Sequence, residues 1–132
     1  MQSYQSIEWD RTLKKMFDEV DDFLEDKYGD KYPLHPNRMK RGSTSNKEMD
    51  GLINIGASFS AGYGTELGRG YVIDLHLSTL SRVDGAFRDS IEQSAIEMIK
   101  KLLPKYFPNR ELEVKKDGNI YKIYGDLSLG KL

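Results

Sequence analysis

The stretch GLINIGASFSAGYGTELGRGYVIDLHL, residues 51–77, contains two alternating segments separated by a glycine-rich connection. Apolar side chains occupy every second position from Ile53 to Phe59 and again from Tyr71 to Leu77. A period of two places successive side chains on opposite faces of a β-strand. The stretch therefore predicts an antiparallel hairpin with one apolar face and one mostly polar face.

The connection between these strands has four glycines from Gly62 to Gly70. It does not fit a P-loop or a dinucleotide fingerprint, because a strand follows it where those sites need a helix N-terminus. It predicts a mobile hairpin connection with bends or bulges. Tyr63 and Arg69 are its candidate ligand contacts, since an aromatic ring can stack on a ligand and a guanidinium can pair with an anion.

Amphipathic helices are predicted on both sides of this hairpin. Apolar residues recur at steps of three and four over residues 7–27, and again over residues 84–103. Short polar residues favour helix starts, while glycine and proline favour helix ends. The predicted cap and stop are Ser6 and Gly29 for the first helix, and Asp84 and Pro104 for the second.

A second hairpin is predicted after the second helix. The pair Asp117-Gly118 fits a two-residue type I′ turn between residues 111–116 and 119–124. With that turn, Val114 pairs with Tyr121 toward the core, and Glu113 pairs with Lys122 on the outer face.

The order helix, hairpin, helix, hairpin predicts an α+β fold for residues 1–132, taken as one domain. We expect a two-layer sandwich: a four-stranded, mainly antiparallel sheet with both helices on its apolar face. Residues 29–50 form a long basic loop between the first helix and the first strand, and loops of this length often carry function.

Composition excludes several classes of function. The chain has no cysteine, which removes disulfides, thiolate metal sites and cysteine nucleophiles and favours the cytoplasm. We expect neither a signal peptide nor a membrane partner, since the sequence contains no apolar run of membrane-spanning length. It has only two histidines and no GxSxG elbow, so the sequence shows no identifiable catalytic residues for nucleophilic hydrolysis.

The long basic loop is the leading candidate for function. Between Lys31 and Lys47 it holds five basic residues and His35, and it holds no acid, although the chain has a net charge of −1. Guanidinium groups can fork onto phosphate or carboxylate. We therefore predict non-enzymatic binding of an anionic partner, either nucleic acid or a phosphorylated ligand, without a cofactor or metal. The residues predicted to carry it are Arg38, Lys40 and Arg41, together with Tyr63 and Arg69.

A metal-dependent hydrolase is an alternative. Asp74 and His76 share the outer face of the second strand and form a candidate polar site, because a carboxylate orients imidazole. With Asp50 at the start of the first strand, they resemble the acid and acid-x-Lys positions of PD-(D/E)xK nucleases, although His76 stands in place of the lysine. The resemblance implies carboxylates that hold Mg²⁺.

A protein-protein or homodimer module is a further alternative. The first helix carries an acidic run with no basic residue between Lys15 and Lys27, which is typical of a solvated face. The run consists of Asp18, Glu19, Asp21, Asp22, Glu25 and Asp26. The run could also contact the basic loop of a second copy. Exposed sheet edges could also pair with a second copy or with another protein.

Overall fold

Two helices and four strands follow one another in the predicted order. The computed structural model describes residues 4–46 and 49–127. The elements are α1 (Tyr4–Tyr28), β1 (Ile53–Ser60), β2 (Gly70–Leu77), α2 (Gly85–Tyr106), β3 (Leu112–Asp117) and β4 (Ile120–Gly125). No helix in the described part of the chain is both long and apolar enough to cross a membrane.

The four strands form one antiparallel sheet in the order β1-β2-β4-β3. The strand β1 pairs with β2 along its whole length, and Ile73 of β2 lies opposite Tyr121 of β4. The two helices contact each other, with α1 also on β1 and α2 also on β3. The predicted α+β sandwich is therefore confirmed.

The core lies between the sheet and the helices. The apolar stripe of α1 is buried from Trp9 to Leu24, as its spacing predicts, while Phe23 is half-buried. The stripe of α2 is buried from Ile91 to Leu103. From the sheet, the fully buried contributors include Ile53 and Ile123. Removing such side chains from water is the main stabilising contribution to the fold.

The second hairpin forms, but its predicted register is wrong. Asp117 pairs with Ile120, so the turn residues are Gly118 and Asn119. Positive φ occurs at Gly118 but not at Asn119, which fits a type II′ turn rather than type I′. Lys122 consequently lies opposite Lys115 instead of Glu113. The observed partner of each β3 residue lies two positions further along β4 than predicted. Because this shift is an even number, each side chain stays on its predicted face of the sheet.

Two of the four predicted helix boundaries are confirmed. Asp84 accepts a hydrogen bond from the Ala86 N–H at 3.3 Å as the N-cap of α2, and α1 ends just before Gly29. Ser6 is not an N-cap, because the described helix already includes Tyr4. The prediction that Pro104 ends α2 is wrong, because the helix continues through it to Tyr106.

Candidate functional site

The two connections singled out by the sequence lie at opposite ends of the first hairpin. Ile53 faces Leu77 at the end where the long basic loop enters, and Ser60 faces Gly70 at the end with the glycine-rich connection. A strand of eight residues is about 26 Å long. The structure therefore does not bring Tyr63 or Arg69 together with Arg38.

The glycine-rich connection, residues 61–69, folds over the outer face of the sheet. Lys122 projects from β4 on that face and is fully buried. Its ammonium donates to the Gly68 carbonyl at 2.7 Å, the Asp117 carboxylate at 3.0 Å and the Thr65 hydroxyl at 3.2 Å. Three charge-assisted bonds satisfy the three donors of a lysine. The connection is thus held to the sheet.

Asp117 completes this attachment. Its Oδ2 atom also accepts from the Leu67 N–H at 3.1 Å. The hydrogen bond from Lys122 lowers the pKa of the Asp117 carboxyl below its ordinary value. The missed register explains why the sequence did not reveal the pair: the predicted turn placed Asp117 inside the loop and Lys122 beside Glu113.

Close packing explains two glycines here, one in the connection and one at the start of β2. A Cβ at Gly62, which has φ of +72°, would collide with the Gly68 carbonyl. A Cβ at Gly70 would lie 2.5 Å from the Ile123 carbonyl and 2.7 Å from Cγ of Lys122. These glycines allow the backbone to approach the buried lysine, which is a structural use. Tyr63 is 94% exposed at the tip, and Arg69 is also exposed.

The long basic loop is held by its own arginine and by Asp50. Arg38 donates from Nε to the Gly51 carbonyl at 3.0 Å and from Nη2 to the Asp50 carbonyl at 2.9 Å. The Asp50 carboxylate is buried and accepts from the N–H groups of Gly42, at 3.0 Å, and Thr44, at 3.3 Å. These bonds fix the shape of the loop beside the start of β1.

Arg41 binds the acidic run of the same chain. Its guanidinium donates to Oδ1 of Asp26 at 2.6 Å and to Oδ1 of Asp22 at 3.3 Å. The hydrogen bond to Asp26 is the main cause that raises the pKa of Arg41. The side chain of Lys40 is exposed, whereas Lys47 lies outside the described residues. Within the predicted positive patch, the charge of Arg41 is therefore balanced by neighbouring carboxylates.

Part of the acidic run is not the solvated face that the sequence predicts. Asp21 and Glu25 are 5% and 6% exposed. The Glu25 carboxylate accepts the backbone N–H of Ile53 at 2.5 Å, at the start of β1. Burial raises the pKa of Glu25. Glu25 thus attaches α1 to the first strand.

A cleft of about 310 Å³ opens where the long basic loop meets the end of β2. The loop is fixed there because the His35 N–H donates to the Ser78 carbonyl at 2.8 Å and the Thr79 hydroxyl donates to the Pro33 carbonyl at 2.6 Å. Both histidines of the chain line the cleft. The lining residues are His35, Asn37, Arg38, His76, Leu77, Ser78 and Thr79.

The chemistry of this cleft suits an anion. The residues that line it carry two imidazoles, a guanidinium, an amide and two hydroxyls, and none of the described residues of the lining carries a carboxylate. The Nδ1 atom of His35 accepts from the Asn37 N–H at 3.0 Å, so a neutral His35 carries its proton on Nε2 and can donate with it. Phosphate and carboxylate ligands need hydrogen-bond donors, and they are repelled by carboxylates of the protein.

The sequence identified Arg38 and His76 as candidates, and the structure brings these two together. It does not add Asp74, which is exposed on the sheet face but is not part of the lining. His35 and Thr79 were missed as site residues. No pattern in the sequence relates residue 35 to residue 79, because a hydrogen bond between the loop and the end of β2 makes them neighbours.

The predicted metal site does not assemble in the described part of the chain. Asp50 is 2% exposed and holds the backbone of the long basic loop, as described above. Asp74 lies opposite Gly56 on β1, and His76 lies opposite Asn54, neither of which is an acidic ligand. Among residues 4–46 and 49–127, no group of three His, Asp or Glu side chains is placed to hold a metal ion.

Similarity to known proteins covers almost the whole chain. A protein family described as "Uncharacterised protein" matches residues 4–125, from the start of α1 to the end of β4. An uncharacterized protein of Borreliella burgdorferi is 40% identical over 118 residues, which cover 89% of this chain and 92% of that protein. No solved structure matches the chain. The match over both helices and all four strands means that the chain belongs to this family of uncharacterised proteins.

Proposed function

We propose that this protein binds a small anionic ligand, with a phosphoryl or carboxylate group, in the cleft between His35, Arg38 and His76. The observation that carries the proposal is the convergence of both histidines and an arginine on one cleft, which no acid among the described residues lines. Small-ligand sites are concave and use a few convergent polar groups to fix orientation. The proposal is one of ligand binding.

A small ligand is favoured over nucleic acid by charge and by size. Arg41 is paired with Asp22 and Asp26, so these carboxylates lie beside the basic loop and would repel a long polyanion. Nucleic-acid binding depends on neutralising many phosphates. The cleft volume of about 310 Å³ is at the lower end of small-molecule sites.

The arginine supplies the fixed charge of the proposed site. Two of its nitrogens donate to the carbonyls of Asp50 and Gly51, which orients the guanidinium. The side chain remains partly exposed, and its Nη1 atom makes no hydrogen bond within the described residues. A group that is oriented before binding loses less entropy when the ligand arrives.

The absence of cysteine supports the cytoplasm as the location.

Isothermal titration with O-phosphoserine, with serine as the control for the phosphoryl group, tests this proposal. We expect phosphoserine to bind and serine not to bind. His76→Ala should weaken binding by about tenfold to a hundredfold, because a lost charge-assisted hydrogen bond is worth about 1.5–3 kcal/mol. Lys40→Ala is the matched control, since Lys40 is an exposed base of the same loop that does not line the cleft. Equal weakening by the two variants would contradict the proposal.

A further inference from the structure

The two edges of the sheet differ in how they are protected. Edge strands present unpaired backbone groups, and proteins normally block them with charges, prolines or bulges. The edge strand β3, LEVKKD, carries four charged residues. The opposite edge strand β1, INIGASFS, carries neither charge nor proline, and its pairing with β2 runs without a bulge. The edge of β1 therefore lacks these barriers to pairing.

Hydrogen bonds show which residues of β1 point toward this open edge. The Ser78 N–H donates to the Leu52 carbonyl at 2.7 Å, so residue 52 directs its backbone groups to the β2 side. Directions alternate along a strand. Odd-numbered residues from Ile53 onward thus direct theirs to the edge, and the Ile53 N–H agrees because it donates to Glu25.

The open part of the edge is its second half. Ile55 is only 4% exposed, which leaves little room for a partner strand there. Phe59 is 58% exposed, Ser58 is exposed and Ala57 is half-buried. Among the described residues, nothing pairs with the edge-facing N–H and C=O groups of Ala57 and Phe59.

We propose that a second copy of this chain pairs with β1, antiparallel, about a twofold axis at Ser58. In this register Ala57 of one copy lies opposite Phe59 of the other, and each pair exchanges two backbone hydrogen bonds. The twofold axis repeats the pair, which gives four hydrogen bonds. Such a self-complementary patch is the usual geometry of a twofold dimer.

Side chains fit this register. Phe59 would lie beside the small Ala57 of the second copy on the helix side of the sheet, where it already contacts Tyr71 with ring centroids 5.6 Å apart. On the outer face Ser58 would meet Ser58, without charge or bulk. The net charge of −1 adds little repulsion between copies. Because the contact is short, we expect a weak, concentration-dependent dimer.

Sedimentation velocity over a range of protein concentrations tests the dimer. The wild type should shift from monomer toward dimer as concentration rises. Ser58→Lys should remain monomeric, because two lysines would face each other across the axis. Asn54→Lys is the matched control: it adds the same charge to the same face of β1 but lies outside the pairing, so it should dimerise like the wild type. Thermal unfolding by circular dichroism checks that each variant is folded.

A charge-swap experiment tests the register itself. An equimolar mixture of Ser58→Lys and Ser58→Asp should form the dimer, because opposite charges then meet at the axis. A wild type that stays monomeric at every concentration would overturn the proposal and leave the edge to a strand of another protein. Dimerisation of Ser58→Lys at wild-type concentrations, or a mixture that stays monomeric, would also overturn it.

Discussion

The glycine-rich connection and the long basic loop reach opposite ends of one hairpin and use their polar groups differently. The first is closed over the fully buried Lys122, whose three donors are all satisfied within the chain. The second is fixed by Arg38 and Asp50 but leaves a cleft with two imidazoles on its walls. One connection is packed against the sheet, whereas the other borders an open site.

A loop with the composition of a binding site can either stabilise the fold or bind a ligand. Glycines and cations are present in both connections. Proteins commonly use such residues either to stabilise the fold or to bind a ligand. A cation that already donates to a buried carboxylate and to carbonyls stabilises the fold. Ligand binding needs donors that remain accessible, and these are found beside His35 and His76.

The largest effect should come from Lys122→Met. Methionine keeps the apolar stem but leaves the Asp117 carboxylate in a buried place without its ammonium partner. Breaking a buried ion pair by removing one member typically costs about 3–5 kcal/mol. Denaturant unfolding should show a loss of that size. A loss below about 1 kcal/mol would mean that the connection is not held by Lys122.

The double variant Lys122→Met/Asp117→Asn is the control for this prediction. It removes both charges, so it should be more stable than Lys122→Met alone. Acid gives a second check. The pKa of Asp117 is lowered in the folded state, so its contribution to stability is present above its unfolded value of about 3.9 and is lost as pH falls through the folded value. The double variant should lack this acid-sensitive contribution.

A smaller effect is expected for Gly62→Ala, with Gly64→Ala as its matched control. Both glycines have positive φ, +72° and +75°, so alanine costs about 1–2 kcal/mol at either position. Only at Gly62 would the new Cβ also collide with a backbone carbonyl, that of Gly68. Thermal unfolding should therefore show a larger loss for Gly62→Ala. Equal losses would indicate that the connection is not packed as described.

The smallest effect is expected for Arg41→Ala in the basic loop. Its ion pairs with Asp22 and Asp26 are partly exposed to solvent, and such pairs are worth less than about 1 kcal/mol each. The stability measured in denaturant should change little, and more at low salt than at high salt. A loss as large as that of Lys122→Met would make the two connections equivalent in their attachment.

The order of elements was predictable from the sequence because each rests on local patterning. Apolar and polar side chains alternate in residues 53–59 and 71–77, and apolar residues recur every three to four positions in both helices. Both patterns depend only on which face of the element is buried. The second hairpin shows the limit. Asp117-Gly118 is a good local turn signal, but Asp117 instead stays in β3, where it pairs with the ammonium of Lys122. A tertiary ion pair accompanies a register that local turn preference did not predict.

The candidate site was predictable only in part. An acid-free run of cations marked Arg38, and the polar face of β2 marked His76. The sequence could not relate His35 to His76, because their proximity depends on the backbone hydrogen bond between His35 and Ser78. Nor could it indicate that Arg41 would bind carboxylates of the preceding helix. These are long-range contacts without a sequence period.

The most direct test of the contrast between the two connections is a titration of the ¹⁵N-labelled protein with O-phosphoserine, followed by amide chemical shifts. We expect shifts at the cleft, led by His35, Arg38, His76 and Thr79, and none in residues 62–68. Shifts concentrated in residues 62–68, or no shifts in the cleft at saturating phosphoserine, would contradict it.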